Sequence, residues 1–378
     1  MCPRPPFRLS SGDLARCDLI RPSVMEGGLD GAGRRVQFRA ASQKSLSRVA
    51  AQSLAPLTDS TAQDPFAVCV DPAVLPSRLE GAVVAIGNFD GIHRGHVAVI
   101  ARAKALAQQL GAPCAVLTFE PHPTDHFKGE GTIFRLTPFK AKAQILARMG
   151  LAGMIVLTFD KALAECSAEA FITQILLARL RIRAAVVGYD FHFGARRAGT
   201  PALLAQAGRQ YGFQVEIVER VPTHAGDEAA SSTATRTALV DGDVGLAERL
   251  LGHPFAIWGE VIAGQRRGRV LGFPTANLRP DSSCRLRHGI YAVRVRIGAT
   301  IHDGVASFGR RPTFDNGAAL LEVFVFDFKG DLYGQTIEVL FKGWIRAEAK
   351  FASVESLIEQ MKRDEMKAKE ILRANPEA

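Results

Sequence analysis

His93 and His96 stand three residues apart in the stretch GNFDGIHRGH, residues 87–96. Its glycines, Asn88 and Asp90 make it poor material for a helix or strand interior. It follows an apolar run, AVVAI, and precedes VAVIARAKALAQQL, which reads as a helix. At a helix start, a three-residue spacing puts both imidazoles on one face. The first amides of that helix and the positive end of its dipole favour an anion there. Gly87 and Gly95 let backbone approach a ligand closely, and Asn88, Phe89 and Asp90 shape the turn between them. Two imidazoles beside a phosphate donate hydrogen bonds to charge that develops during phosphoryl or nucleotidyl transfer. Such a mechanism needs positioning rather than a covalent intermediate. The plain alternative is that both histidines are turn and cap residues, since short motifs recur by accident.

A second group lies far downstream, in GQRRGRVLGFPTANL, residues 264–278. Gly264, Gly268 and Arg269 belong to a loop rich in glycine and arginine, suited to lie over phosphates. Thr275 and Asn277 alternate on an extended segment, so both side chains point one way. A hydroxyl and a carboxamide are hard oxygen donors suited to Mg2+ shared with a triphosphate. A β-turn with a capping threonine is the alternative. Glu322 is the first charged residue of LLEVFVFDF, facing away from Leu321 and Val323. A carboxylate there is paired, catalytic, or simply an exposed strand residue.

Two further stretches carry candidate groups. In VGYDFHFGARRAG, residues 187–199, Asp190 follows a strand, and Phe191 and Phe193 either flank a flat ring or fill the core. In SSTATR, residues 231–236, the hydroxyls of Ser231 and Thr233 and the Arg236 guanidinium suit a triphosphate, or the serine is a cap alone.

The elements that must hold these groups are readable from apolar patterning. Strands are expected at 82–86, 114–119, 153–159, 184–189 and 213–219, with helices at 94–110, 138–149, 167–180 and 201–212. Continuous apolar strands separated by helices imply a parallel sheet covered on both faces, with ligands at the strands' carboxyl ends. A helical segment is expected over 235–252. From Phe255 the texture changes to alternating apolar and polar residues with glycine-rich turns, which predicts an antiparallel sheet or small barrel, followed by an amphipathic terminal helix.

Composition bounds the rest. The 378 residues suggest two domains or slightly more, and the content of 47% hydrophobic and 22% charged residues is that of a globular protein. No apolar run reaches membrane-span length, which excludes a membrane partner. Six scattered cysteines without a CxxC pair or zinc spacing fit a reducing cytoplasm. The net charge of +9 suits nucleic acid and phosphorylated small molecules equally, and the lack of a long Lys/Arg run argues against a duplex-binding stripe. Residues 1–64 are rich in Ser, Arg, Gly and Pro, carry nine basic and six acidic residues, and read as a disordered extension or as sequence ahead of the true start.

GNFDGIHRGH resembles the nucleotide-binding loop of the HxGH nucleotidyltransferases. In its longer form it resembles the adenylyltransferase module of bacterial bifunctional riboflavin kinase/FAD synthetases. LTFEPHP (117–123), VGYDFHFGARRAG and SSTATR extend that match. PTAN, GIYAVRV (289–295), GVASFGRRPTF (304–314) and LEVFVFDFKGDLYG (321–334) follow in the order seen in riboflavin kinases. The resemblance covers residues 66 to about 373. It implies an α/β chain with a Rossmann-like parallel-sheet domain over 65–252 and a riboflavin kinase-like antiparallel barrel with a terminal helix over 253–378. It implies ATP as co-substrate, riboflavin, FMN and FAD as ligands, Mg2+ at Thr275 and Asn277, Glu322 as base, and Arg236 on ATP phosphates. Departures stand out at His192 and Ala234, where the family often has arginine, and at Ser307-Phe308, where Asn-Ile is usual. A basic β domain that binds RNA is the alternative from another class. It needs exposed aromatics between basic residues, whereas these aromatics alternate along strands as core residues do. Self-association is left open by the sequence.

Overall fold

The computed structural model describes residues 66–223, 226–229, 231–264, 272–310 and 319–376. The expected extension over 1–64 and the loop residues Gly268 and Arg269 lie outside them. Described residues from Phe66 onward belong to one compact unit, Asp64–Ala378.

The first half is a parallel sheet. Its strands are β1 (Ala67–Val70), β2 (Val83–Ile86), β3 (Cys114–Glu120), β4 (Gly153–Thr158), β5 (Ala184–Gly188) and β6 (Gln214–Val218), in the spatial order β1-β4-β3-β2-β5-β6. All neighbours are parallel. The helices are α1 (Arg94–Leu110), α2 (Pro123–Lys128), α3 (Phe139–Arg148), α4 (Lys161–Glu165), α5 (Ala168–Ala170, continuing in wider turns over Phe171–Arg179) and α6 (Pro201–Tyr211). The central strands are apolar on both faces, and two separate cores cover them. That is the physical signature of a sheet sandwiched by helices. The chain runs outward from β2 through β3 to β4, then returns to β5 on the other side of β2. The carboxyl ends of β2 and β5 therefore flank a crevice at the point where strand order reverses.

A short hairpin, β7 (Pro222–Thr223) and β8 (Gly226–Ala229), leads to two helices, α7 (Ser232–Asp241) and α8 (Val244–Leu251). One continuous helix over 235–252 was expected; the structure breaks it. Gly242 takes the left-handed conformation at φ 83° and ends α7, and the Asp243 side chain accepts from the Leu246 amide to start α8. Strand β1 was not expected, because four residues of AVCV give too short a period to read.

The second half is antiparallel: β9 (Ala256–Glu260), β10 (Thr275–Leu278), β11 (Gly289–Ile297), β12 (Thr300–Arg310), β13 (Ala319–Val325) and β14 (Thr336–Arg346), in the order β10-β13-β12-β11-β14-β9. The edges meet where Ile262, just past β9, bridges Asn277 of β10, which curls the sheet into a barrel. Helix α9 (Val354–Ala374) lies against its outside, with Ala368 and Leu372 on Ala292 and Phe326.

The barrel core extends into the first half. Leu239, Val244, Ala247 and Leu251 of α7 and α8 share one cluster with Phe255, Ile257, Tyr291 and Phe341, joined by Phe134 and Leu136. Leu251, 1% exposed, sits in this shared cluster. Leu251→Ala is expected to cost about 2–5 kcal/mol. The two halves are expected to lose structure in one transition, checked by following tryptophan fluorescence and far-UV circular dichroism in urea.

Candidate active sites

The motif GNFDGIHRGH occupies the crevice. Between β2 and α1 the backbone turns through the left-handed region at Phe89 (φ 48°), Gly91 (φ 93°) and Ile92 (φ 44°). Left-handed φ at a phenylalanine and a β-branched residue is costly and persists only where the surroundings dictate it. Here both side chains are 1% exposed in the core beneath α1. A Cβ on Gly91 would lie 2.9 Å from Leu136 and 3.1 Å from Leu251, so glycine is required there.

Asp90 fastens the loop. Its carboxylate accepts from the Thr137 amide at 2.8 Å and from Arg236 Nη2 at 2.5 Å, and its carbonyl accepts from Ser232 Oγ at 2.7 Å. The Gly91 amide donates to Thr137 Oγ1 at 2.8 Å, and a His253 ring nitrogen reaches the Gly91 carbonyl at 3.1 Å. The Asn88 carbonyl accepts from Lys142 Nζ at 2.9 Å and from Thr118 Oγ1 at 3.1 Å. Lys142 is 1% exposed and also donates to Glu120, which takes a second cation from Arg135 at 2.5 Å. Burial works to raise the Glu120 pKa, but Lys142 and Arg135 hold it below the ordinary carboxylate range; burial lowers that of Lys142 against the pull of Glu120.

The two histidines are both cap and candidate catalyst. His93 is the N-cap of α1, and its Nδ1 accepts from the His96 amide. An accepting Nδ1 leaves the proton of the neutral ring on Nε2, as a donor. The rings stack at 3.7 Å between centroids. Burial depresses the His93 pKa to about 4, against the pull of Asp190 and Asp90, and burial together with His93 and Lys142 takes that of His96 well below the ordinary value. His96 Nδ1 is buried and has no hydrogen-bond partner. The first turn of α1 carries no acidic residue that would compete with an anion. The cleft above has a volume of about 790 Å³. Gly87, Asn88, Phe89, Asp90, Gly95, Asp190, Ser231, Thr233 and Arg236 all line it, together with both histidines.

The structure sorts the remaining expectations in this half. Phe193 is buried in the core, 6% exposed, and Phe191 stacks on it; both line the cleft. Ser231 is the N-cap of α7, accepting from the Ala234 amide at 3.1 Å. Arg236 donates to Asp90 and to the Phe134 carbonyl and also lines the cleft. Sequence reasoning missed Thr137, Lys142 and His253. Lys142 carried a signal, a lysine four residues before Leu146 on the buried stripe of α3.

The second site lies on the outside of the barrel. Ala276, Leu278, Leu321 and Val323 point into its core, so Thr275, Asn277 and Glu322 share the opposite face. Asn277 pairs in register with Glu322, and Ser307 flanks Glu322 from β12. Asn277 is 5% exposed, and its Oδ1 has no hydrogen-bond partner. Gly264 lies so close that any Cβ there would collide with the Asn277 side chain. An orphaned hard oxygen in a glycine-lined cradle, with a threonine hydroxyl two residues away, fits a hard cation. Glu322 is half-buried. Phe308 faces the barrel core, so of the Ser307-Phe308 pair only Ser307 lies on the site face. Among the described residues no cluster of three His, Cys, Asp or Glu could hold a metal.

A cleft at a parallel sheet's switch point and a separate barrel site are the two places where a two-site transferase would work. A family model for FAD synthetase matches residues 75–234, and one for riboflavin kinase matches residues 251–372. The chain is 41% identical over 292 residues to the bifunctional riboflavin kinase/FMN adenylyltransferase of Haemophilus influenzae, spanning 77% of this chain and 94% of that protein. It is 40% identical over 288 residues to the protein of that name from Listeria monocytogenes, spanning 75% and 90%. The chain belongs to the bifunctional riboflavin kinase/FMN adenylyltransferase family. A crystal structure named as a macrolide-efflux protein from Streptococcus pneumoniae superimposes with a TM-score of 0.68 at 32% identity, covering 80% of this chain and 98% of that one. Among the described residues no helix is long and apolar enough to cross a membrane.

The buried histidines give a signed pH dependence. His93 and His122, both pushed by burial to about 4 from 6.5, and His96, displaced the same way, bind fewer protons folded than unfolded over that range. Stability is therefore expected to be fully present above about pH 6.5 and to fall as pH is lowered toward about 4. Urea midpoints across that range check it, and His122→Asn is expected to flatten part of the decline.

Proposed function

We propose that this chain makes FAD from riboflavin in two ATP-dependent steps, one at each site. At the barrel, ATP and riboflavin give FMN and ADP. At the cleft, ATP and FMN give FAD and pyrophosphate. The observation that carries the reading of the cleft is the neutral, stacked His93–His96 pair at the uncontested entrance of α1. The amides of α1 and the Nε2–H of His93 face the α-phosphate of ATP and stabilise the charge that builds as the FMN phosphate attacks it. Gly87 and Gly95 allow close approach, Asn88, Phe89 and Asp90 hold the loop, and Asp190, Ser231 and Thr233 border the nucleotide. Arg236, which lines the cleft, steadies the phosphates.

At the barrel, Glu322 takes the proton from the terminal ribityl hydroxyl of riboflavin as that oxygen attacks the γ-phosphate. Thr275 Oγ1 and Asn277 Oδ1 would hold Mg2+, which neutralises charge on ATP phosphates when bound. Gly264 keeps room beside Asn277; Gly268 and Arg269 lie outside the described residues. The ligands are small molecules, and the scattered cysteines suit work in the cytoplasm.

Chromatography of flavins during incubation with riboflavin, ATP and MgCl2 tests the whole reading. FMN is expected first and FAD later; a protein that yields neither, even from supplied FMN, would overturn it. Glu322→Gln is expected to abolish FMN formation and leave FAD formation from FMN intact. Lys142→Met removes the charged donor to the Asn88 carbonyl. It is expected to slow adenylylation by about tenfold to a hundredfold, matching about 1.5–3 kcal/mol for a charged hydrogen bond. Riboflavin phosphorylation in the same protein should hold near the parent rate.

A further inference from the structure

Between Gly194 and Gly199 the chain makes a short turn, Ala195–Arg197, in which two consecutive arginines adopt left-handed backbone, φ 55° at Arg196 and 60° at Arg197. Such strain persists only where the surroundings over-determine it, and it gathers at ligand clamps. The surroundings here are rigid. The Ala195 amide donates to the Cys166 carbonyl at 2.7 Å, and Phe193 and Gly199 exchange backbone hydrogen bonds at 3.1 and 2.8 Å. Gly194 packs so tightly that a Cβ would stand 2.6 Å from the Ala168 amide nitrogen. Both arginines are exposed and both line the cleft. Among the described residues neither has a carboxylate partner; the recorded side-chain contact of Arg197 is the His192 ring at 3.4 Å. Two arginines without a carboxylate partner among the described residues are thus carried on one short, fixed turn that lines the cleft.

The turn enters the cleft from a different element than His93, His96 and Arg236 do. His93, His96 and Arg236 enter from α1 and α7. The arginine turn is fastened to Cys166 and Ala168, which follow α4 directly. Leu163 and Ala164 of α4, with Phe127 and Phe159, form the apolar wall of the cleft. A flat, apolar ring system with a phosphate at the end of its chain would lay the ring on that wall and bring the phosphate to the adjoining cations.

We infer that Arg196 and Arg197 clamp the phosphate monoester of the acceptor, so that the cleft takes FMN and rejects unphosphorylated riboflavin. This rests on the adenylyltransferase reading of the cleft. A dianionic monoester matches two arginines, and riboflavin offers them nothing.

Arg196→Gly and Arg197→Gly test it cleanly, because glycine accepts left-handed φ without strain and the fold is not endangered. In the full-length enzyme each is expected to raise KM for FMN by about tenfold or more with kcat little changed, the pattern of lost ground-state binding. KM for ATP and the rate of riboflavin phosphorylation should stay at the parent values, and the melting temperature should hold or rise. Arg197→Lys should recover part of the loss. A rise confined to KM for ATP would assign the turn to the nucleotide's phosphates and overturn the inference, and so would unchanged constants for both substrates. A parent enzyme that makes no FAD from FMN would instead defeat the reading of the cleft itself, a different outcome.

Discussion

A carboxylate removed almost wholly from water must find fixed partners, and Asp90, 1% exposed, finds them in two distant segments. Its oxygens take the Thr137 amide and the Arg236 guanidinium, while its carbonyl takes the Ser232 hydroxyl. The loop after β2, the segment before α3 and the first turn of α7 are drawn together at one point. The left-handed turns at Phe89 and Ile92 are tolerable because this point does not move. The histidines at the start of α1 take their place from it in turn. Removing either partner would strand a buried charge, at a cost of about 3–5 kcal/mol.

The same economy explains Lys142. It lies beneath the loop, bonded to the Asn88 carbonyl, while Arg148 at the other end of α3 stacks over Trp258 of β9 and pairs with Glu338 of β14. Glu338 also binds Arg296 of β11. One helix therefore touches the nucleotide loop at one end and the barrel at the other. A second path runs from Ser283, beyond β10, to the Arg135 amide, and from the Arg135 side chain to Glu120 and Lys142. Both are contiguous chains of hydrogen bonds and packed side chains between the two halves.

Much of this was legible in the sequence where the information is local. AVVAI and CAVLTF announce buried strands by composition, and the spacing of His93 and His96 places them on one helix face before any coordinates are seen. The same holds for Thr275 and Asn277, where alternation suffices. What could not be read is non-local. Asp90 and Arg236 are 146 positions apart. The pairing of Asn277 with Glu322 depends on a register that only the barrel's closure sets. Phe191 and Phe193 both border the cleft, yet only Phe193 is buried in the core. The break between α7 and α8 was written in VDGDVG and was outweighed by the apolar period on either side.

The core shared by α7, α8 and the barrel also bears on how the chain is born. The parallel sheet, complete by Val218, leaves the ribosome before any barrel strand exists. At that stage Leu239, Val244, Ala247 and Leu251 lack Phe255, Ile257, Tyr291 and Phe341, the residues that later cover them. Leu251 is one of the two side chains that press on Gly91 and confine the turn before His93. The cleft whose motif is translated first is thus finished last, when the barrel closes over α8. The side chain that borders the turn before His93 belongs to the same cluster as residues translated later, Phe255, Ile257, Tyr291 and Phe341.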